Sequence, residues 1–213
     1  MTETITSSPN STAAAHVDVA PNGALPDLRP SFDTVVDLAR TVIDAIGPDD
    51  LRRSTPCSDY DLGQLASHLV AVIQRVAAVG RHEDPWSVPQ EAAGLEPSGF
   101  TAAWDAAVAD QRSVWADDSV LGATLVLPFG EFPGAVAIAT YIGEVLVHTW
   151  DLASSLGIEV DWPTEIVERA VMGAKMKLPE EGRGEYIPFD PVVPTAEDAP
   201  AIDRLVAWMG RRP

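Results

Sequence analysis

Four long stretches of this chain space their apolar residues for helices that each bury one face. In residues 32–46, Phe32, Val35, Val36, Leu38, Ala39, Val42, Ile43 and Ile46 fall close to one face of a 3.6-residue turn. Ser31 stands where an N-cap would, and Gly47-Pro48 closes the segment. A second helix is expected over about 61–80, capped by Asp59 or Asp61, with Leu62, Leu65, Ala66, Leu69, Val72, Ile73 and Val76 as its stripe. A third spans about Ser98 to Ala116 through Phe100, Trp104, Val108 and Val114. The fourth and longest starts near Pro133 and runs to about Ser155, ending at Gly157. Four such helices with unequal connections make an all-α helical bundle, in which ligand and metal sites form between facing helices.

The intervening segments complete the outline. ATLVLPFGEFPG, with β-branched residues and Gly/Pro turn signals, predicts an extended piece or short β-hairpin. A fifth helix is expected over 163–177, with Pro163 in its first turn. A short C-terminal helix at 197–209 is appended to the bundle and carries Ile202, Leu205, Val206 and Trp208. Residues 81–97, 118–132 and 178–196 are irregular and are expected to rim a cleft. Residues 1–30 are rich in Ser, Thr, Ala, Pro and Asn and are expected to form a disordered tail, leaving 31–213 as one domain.

Composition narrows the function. A formal net charge of −18 argues against nucleic acid, whose phosphates need clustered Lys and Arg. No apolar run of roughly 18–20 residues is apparent, so no membrane partner is expected. The single cysteine, Cys57, cannot form an internal disulfide and fits a reducing cytoplasm. It is expected to pack as a small buried hydrophobe. Nucleophile-elbow, P-loop, Rossmann and H-E-x-x-H patterns are absent.

The chemistry concentrates on the long fourth helix. Glu144 and His148 sit four residues apart, so their side chains stack on one helical face about 5–6 Å apart at Cβ. A carboxylate and an imidazole aimed at one point are what a divalent metal takes from a single helix. His68, on the second helix, supplies a third ligand if the two helices pack together. A His/His/Glu set leaves coordination positions open, and open positions mark a metal site able to do chemistry. Tyr141, three residues before Glu144, shares that face as a pocket-wall or proton-transfer residue. Asp151, three residues after His148, is expected to orient the imidazole rather than bind metal directly. His16 and His82 are expected to be solvated. The open position is expected to face a pocket lined by Tyr141, Trp150 and residues of the 81–97 loop.

Three blocks then carry a family resemblance: TPCSDYDLGQLASHLV (55–70), EVLVHTWDLASSLG (144–157) and APAIDRLVAWMGRRP (199–213). Together they resemble the metal-binding proteins related to the N-terminal domain of mycothiol-dependent maleylpyruvate isomerase, in the wider DinB-like four-helix-bundle superfamily. The resemblance covers about 32–213. Tyr60 stands where that family usually has Trp, and Glu144 matches the isomerase branch. The resemblance implies His68, Glu144 and His148 as metal ligands, with Zn2+ expected ahead of Ni2+ or Fe2+. It further implies a metal-dependent thiol transferase or isomerase that uses mycothiol or another small thiol on a small electrophilic substrate. A non-catalytic metal- or ligand-binding module is the alternative, and a homodimer is an expectation from related bundles.

Overall fold

A computed structural model of the chain describes residues 26–184, 187 and 189–213. Helix α1 (Arg29–Asp44) buries Phe32, Val35, Val36, Ala39, Val42 and Ile43. It begins two residues before the expected cap, so Ser31 lies inside the first turn and makes no capping bond. Pro30 suits that turn because its fixed φ is already helical. Arg29 pins the helix start, donating to the Trp115 carbonyl at 2.9 Å and pairing with Asp118. Residues 29 and 30 are therefore helical, not part of a tail, and the stretch 1–25 on which the rest of that expectation falls, His16 included, lies outside the described residues.

Helix α2 (Leu62–Gly80) opens with a capping box in which Asp61, not Asp59, accepts from the Gln64 N–H. By length and composition alone it is long and apolar enough to cross a membrane, although most of it is buried inside the protein. This corrects the sequence reading, which found no run of that length. The apolarity is explained by packing, since α2 lies between α3 and α5 and buries nearly every residue.

Helix α3 (Phe100–Trp115) follows a 3-10 turn at Pro97–Gly99, and a four-residue helix α4 (Ser119–Gly122) leads into the hairpin. Strands β1 (Thr124–Leu127) and β2 (Gly130–Pro133) pair antiparallel, with Leu125 opposite Phe132. Helix α5 (Gly134–Leu156) then runs the length of the bundle and stops at Gly157, which is left-handed at φ 69°. Helix α6 (Thr164–Lys177) packs on α5, and α7 (Ala201–Trp208) packs on α6 and α5. In the bundle, α1 touches α3 and α5 while α2 touches the same two from the other side. The core between them includes Trp104, Trp115, Phe32, Leu69, Ile138 and Leu146, all nearly inaccessible. The all-α bundle with a short hairpin and an appended C-terminal helix is the architecture expected from periodicity.

Candidate metal centre

Packing α2 against α5 brings together residues 76 to 80 positions apart in sequence. One ligand atom each from His68, Glu144 and His148 falls within 4.8 Å of the others. His68 Nε2 lies 3.8 Å from Glu144 Oε1. The two imidazole rings meet edge-on at 5.1 Å between centroids, and Tyr60 stacks on His68 at 4.9 Å.

Each imidazole is oriented by its other nitrogen. His68 Nδ1 lies 2.7 Å from the Gln90 carbonyl, and a carbonyl can only accept, so Nδ1 carries the proton. His148 Nδ1 lies 3.0 Å from Asp151 Oδ2, and the same logic holds for an ionised carboxylate. Both Nε2 atoms are left with their lone pairs. Asp151 is fully buried and takes no part in lining the cavity beside the cluster. Its two oxygens are held by Arg211, at 3.3 Å from Nε and 3.1 Å from Nη2.

Glu144 has no ion-pair partner among the described residues besides His68. Its side chain keeps 30% exposure, and it lines the cavity. Burial pushes its carboxyl pKa up, with His148 and Arg75 opposing that shift. Burial also pulls the His68 pKa down to about 4, assisted by His148. A desolvated carboxyl beside two imidazoles with free lone pairs is the donor set of a divalent metal. Ligand atoms on one tetrahedral ion with bonds of about 2.0–2.2 Å stand roughly 3.3–3.6 Å apart, so a set already within 4.8 Å needs side-chain shifts on the order of an ångström to share a cation.

The cluster forms part of the wall of a cavity of about 1510 Å³. Tyr60, Arg75, Tyr141, Cys57 and Gln90 share that wall, as do Phe129 and Phe189 from the two later loops. Trp150 does not line it and packs on the core instead, which corrects the expected pocket lining. Two residues beyond His148, Trp150 is turned about 200° around α5 and points away. Tyr141 is 1% exposed, and its Oη has no hydrogen-bond partner among the described residues. Burial, reinforced by Glu144, raises the phenol pKa, so the hydroxyl keeps its proton. Arg75 is 4% exposed, two helical turns after His68 on α2, and donates to the Pro89 carbonyl at 3.0 Å. Its spacing from His68 signalled a shared face, which the sequence reading passed over.

Cys57 is half-buried on the cavity wall rather than packed as a core hydrophobe. Its sulfur lies within 4.8 Å of ligand atoms of His148 and Asp151, a second grouping that could in principle hold a metal. Two observations weigh against it. Burial raises the thiol pKa, although Arg211 opposes this, and Asp151 is already neutralised by the Arg211 guanidinium.

A family model described as the mycothiol maleylpyruvate isomerase N-terminal domain matches residues 32–153. The chain belongs to that family. Two relatives of this isomerase-family chain are uncharacterized proteins of Mycobacterium tuberculosis, from strains CDC 1551 and H37Rv. Each is 32% identical to it over 163 residues, covering 76% of this chain and 86% of the relative. A solved mutant of the mycothiol-dependent maleylpyruvate isomerase aligns with a TM-score of 0.51 at 13% identity, over 66% of this chain and 64% of its own. That likeness is one of fold. A DinB-like protein from Bacillus cereus aligns at a TM-score of 0.47 with 14% identity, over 62% of this chain and 93% of its own. The match to the isomerase family model includes all three candidate ligands and Asp151, but stops well short of Arg211.

The geometry of His68 sets a pH dependence for the metal-free protein. Its pKa falls from the ordinary 6.5 to about 4 on folding, so between those values the unfolded chain holds the extra proton. The associated stability is fully present above about pH 6.5 and is lost as pH falls toward 4, by on the order of 3 kcal/mol. Glu144 runs the other way: its raised carboxyl pKa relieves a penalty as pH falls. Urea midpoints measured across this window should lose much of their acid-side decline in His68→Gln. A decline of the same steepness would assign it to other groups.

Proposed function

We propose that this chain binds one divalent metal ion, zinc ahead of nickel or iron, through His68, Glu144 and His148. We further propose that it works as a transferase or isomerase, joining a small thiol such as mycothiol to a small electrophilic substrate. The observation that carries this reading is the convergence of three ligand atoms within 4.8 Å on the wall of a cavity large enough for two small molecules. A metal ion held there lowers the pKa of a bound thiol or water and so supplies a nucleophile at neutral pH.

The chain's own residues do the rest. The Gln90 carbonyl and Asp151 fix the two imidazoles with their Nε2 atoms toward the site. Tyr141 remains a neutral phenol beside Glu144, with its Oη unpartnered among the described residues, and is the group we assign to donate a hydrogen bond to the substrate. The mainly apolar wall, including Phe129, Phe132 and Met172, offers an apolar surface to the body of a small substrate. Cys57 stays a thiol and supplies no nucleophile, so the reacting sulfur comes from outside. An external thiol fits a chain that works in a reducing compartment.

The test is conjugation of a generic electrophile with several small thiols, with and without a chelator. Turnover is expected with zinc, should disappear on chelation and should return when zinc is restored. Turnover that survives chelation would contradict the metal's role, and no turnover with any thiol while metal remains bound would instead indicate a binding module without catalysis.

A further inference from the structure

We infer that Arg211 is a positioning residue of the metal centre, so the C-terminal segment after α7 is part of the site. This rests on the metal reading above and extends it to a residue 60 positions from Asp151 in sequence.

The local sequence dictates where Arg211 goes. Helix α7 ends in a Schellman arrangement: the Gly210 N–H donates to the Ala207 carbonyl at 3.0 Å, and the Arg211 N–H to the Val206 carbonyl at 2.9 Å. Gly210 is left-handed at φ 87°, and a Cβ built on it would lie 2.6 Å from Asp190 Cβ. Only glycine fits this turn, and the turn sends the next side chain back under the bundle. There the Arg211 guanidinium meets Asp151 with two nitrogens, at 3.3 and 3.1 Å, and a third nitrogen donates to the Met209 carbonyl at 2.9 Å. The Arg211 side chain is 13% exposed and the Asp151 side chain 0%.

A fully buried carboxylate with no cation would be costly to keep ionised. Arg211 supplies the cation and fixes the carboxylate plane. Asp151 Oδ2 is then held 3.0 Å from His148 Nδ1, which places the ring proton on Nδ1 and leaves Nε2 unprotonated. The chain of contacts is Arg211, Asp151, His148, cation. Cys57, Asp59 and Asp190 are the other ionisable groups near this end of the cavity, and none makes a hydrogen bond to Asp151.

The test uses the full chain with Arg211→Met and Arg211→Lys. Zinc affinity is read by competition with a chromophoric chelator. The tautomer of His148 is read by long-range 15N–1H NMR on the metal-free protein at about pH 8, above the ordinary imidazole range. Circular dichroism confirms folding. Arg211→Met is expected to weaken zinc about 10–100-fold, the usual effect of removing an outer partner, and to show His148 as a mixture of both tautomers. Arg211→Lys keeps the charge but loses the two-pronged contact, and should recover part of both effects. If Arg211→Met does not fold, Arg211→Lys alone decides by the same two readings. Wild-type affinity together with a single Nδ1–H tautomer in the folded variant would overturn the inference. If the wild-type chain binds no zinc, the metal reading fails. The tautomer measurement then still decides whether Arg211 orients His148.

Discussion

Replacing His68 or His148 by alanine should weaken zinc binding by more than about 100-fold, or more than about 2.8 kcal/mol. Each substitution removes one of three protein ligands, so the loss should exceed the range of about 10–100-fold seen for outer partners. The fold should tolerate both changes. His68 contributes one hydrogen bond to the Gln90 carbonyl, worth about 1 kcal/mol, and its ring borders the cavity, so truncation opens into existing space. In His148→Ala the Asp151 carboxylate keeps its Arg211 partner and is not left as an unpaired buried charge. Competition titration against a chelator measures the affinity, and a urea melt of the metal-free protein measures the stability. If both variants kept affinity within about threefold of wild type, well under one tenfold step of 1.4 kcal/mol, the metal would have to be held by other residues.

Gly134→Ala should destabilise the protein by about 3 kcal/mol or more. Gly134 is the first residue of α5, and a Cβ built there would lie 2.0 Å from the Val120 carbonyl oxygen and 2.9 Å from its carbon. The obstruction is backbone, which cannot rotate away, so α4 and the start of α5 would have to separate. Overpacking typically costs about 1–3 kcal/mol and more where backbone must shift. For a chain of this size, 3 kcal/mol lowers the melting temperature by about 6–12 °C. Because α5 also carries Glu144 and His148, zinc affinity should fall as well, though less than in the ligand variants. A melting temperature within about 2 °C of wild type, less than 1 kcal/mol on the same scale, would mean the approach of α4 to α5 is looser than the structure shows.

Particular residues show how far the sequence could be read. The periodicity of Phe32 through Ile46 and of Leu62 through Val76 identified two helices of the bundle, and Pro133 and Gly157 bracketed the longest. The four-residue spacing of Glu144 and His148 fixed their shared face before any packing was known. That His68 meets them depends on α2 packing against α5, which no local pattern encodes and which the family resemblance anticipated. Trp150 was legible and misread, since two residues past His148 is nearly the opposite side of a helix. Helix α1 began early because Pro30 and the long-range tether of Arg29 outweighed the capping preference of Ser31. The Gln90 carbonyl could not be foreseen, because a backbone acceptor in a loop leaves no trace in residue identity. Arg211 left only the glycine before it, a helix-stop signal that says nothing about a partner 60 residues away.

The most direct test is anomalous diffraction at the zinc edge from crystals grown with zinc. One peak per chain is expected at about 2.0–2.2 Å from His68 Nε2, His148 Nε2 and a Glu144 oxygen. This three-ligand site also requires that Asp151 remain bonded to Arg211 and that at least one position be open toward the cavity. A peak held instead by Cys57, His148 and Asp151, or no peak at either cluster, would contradict it.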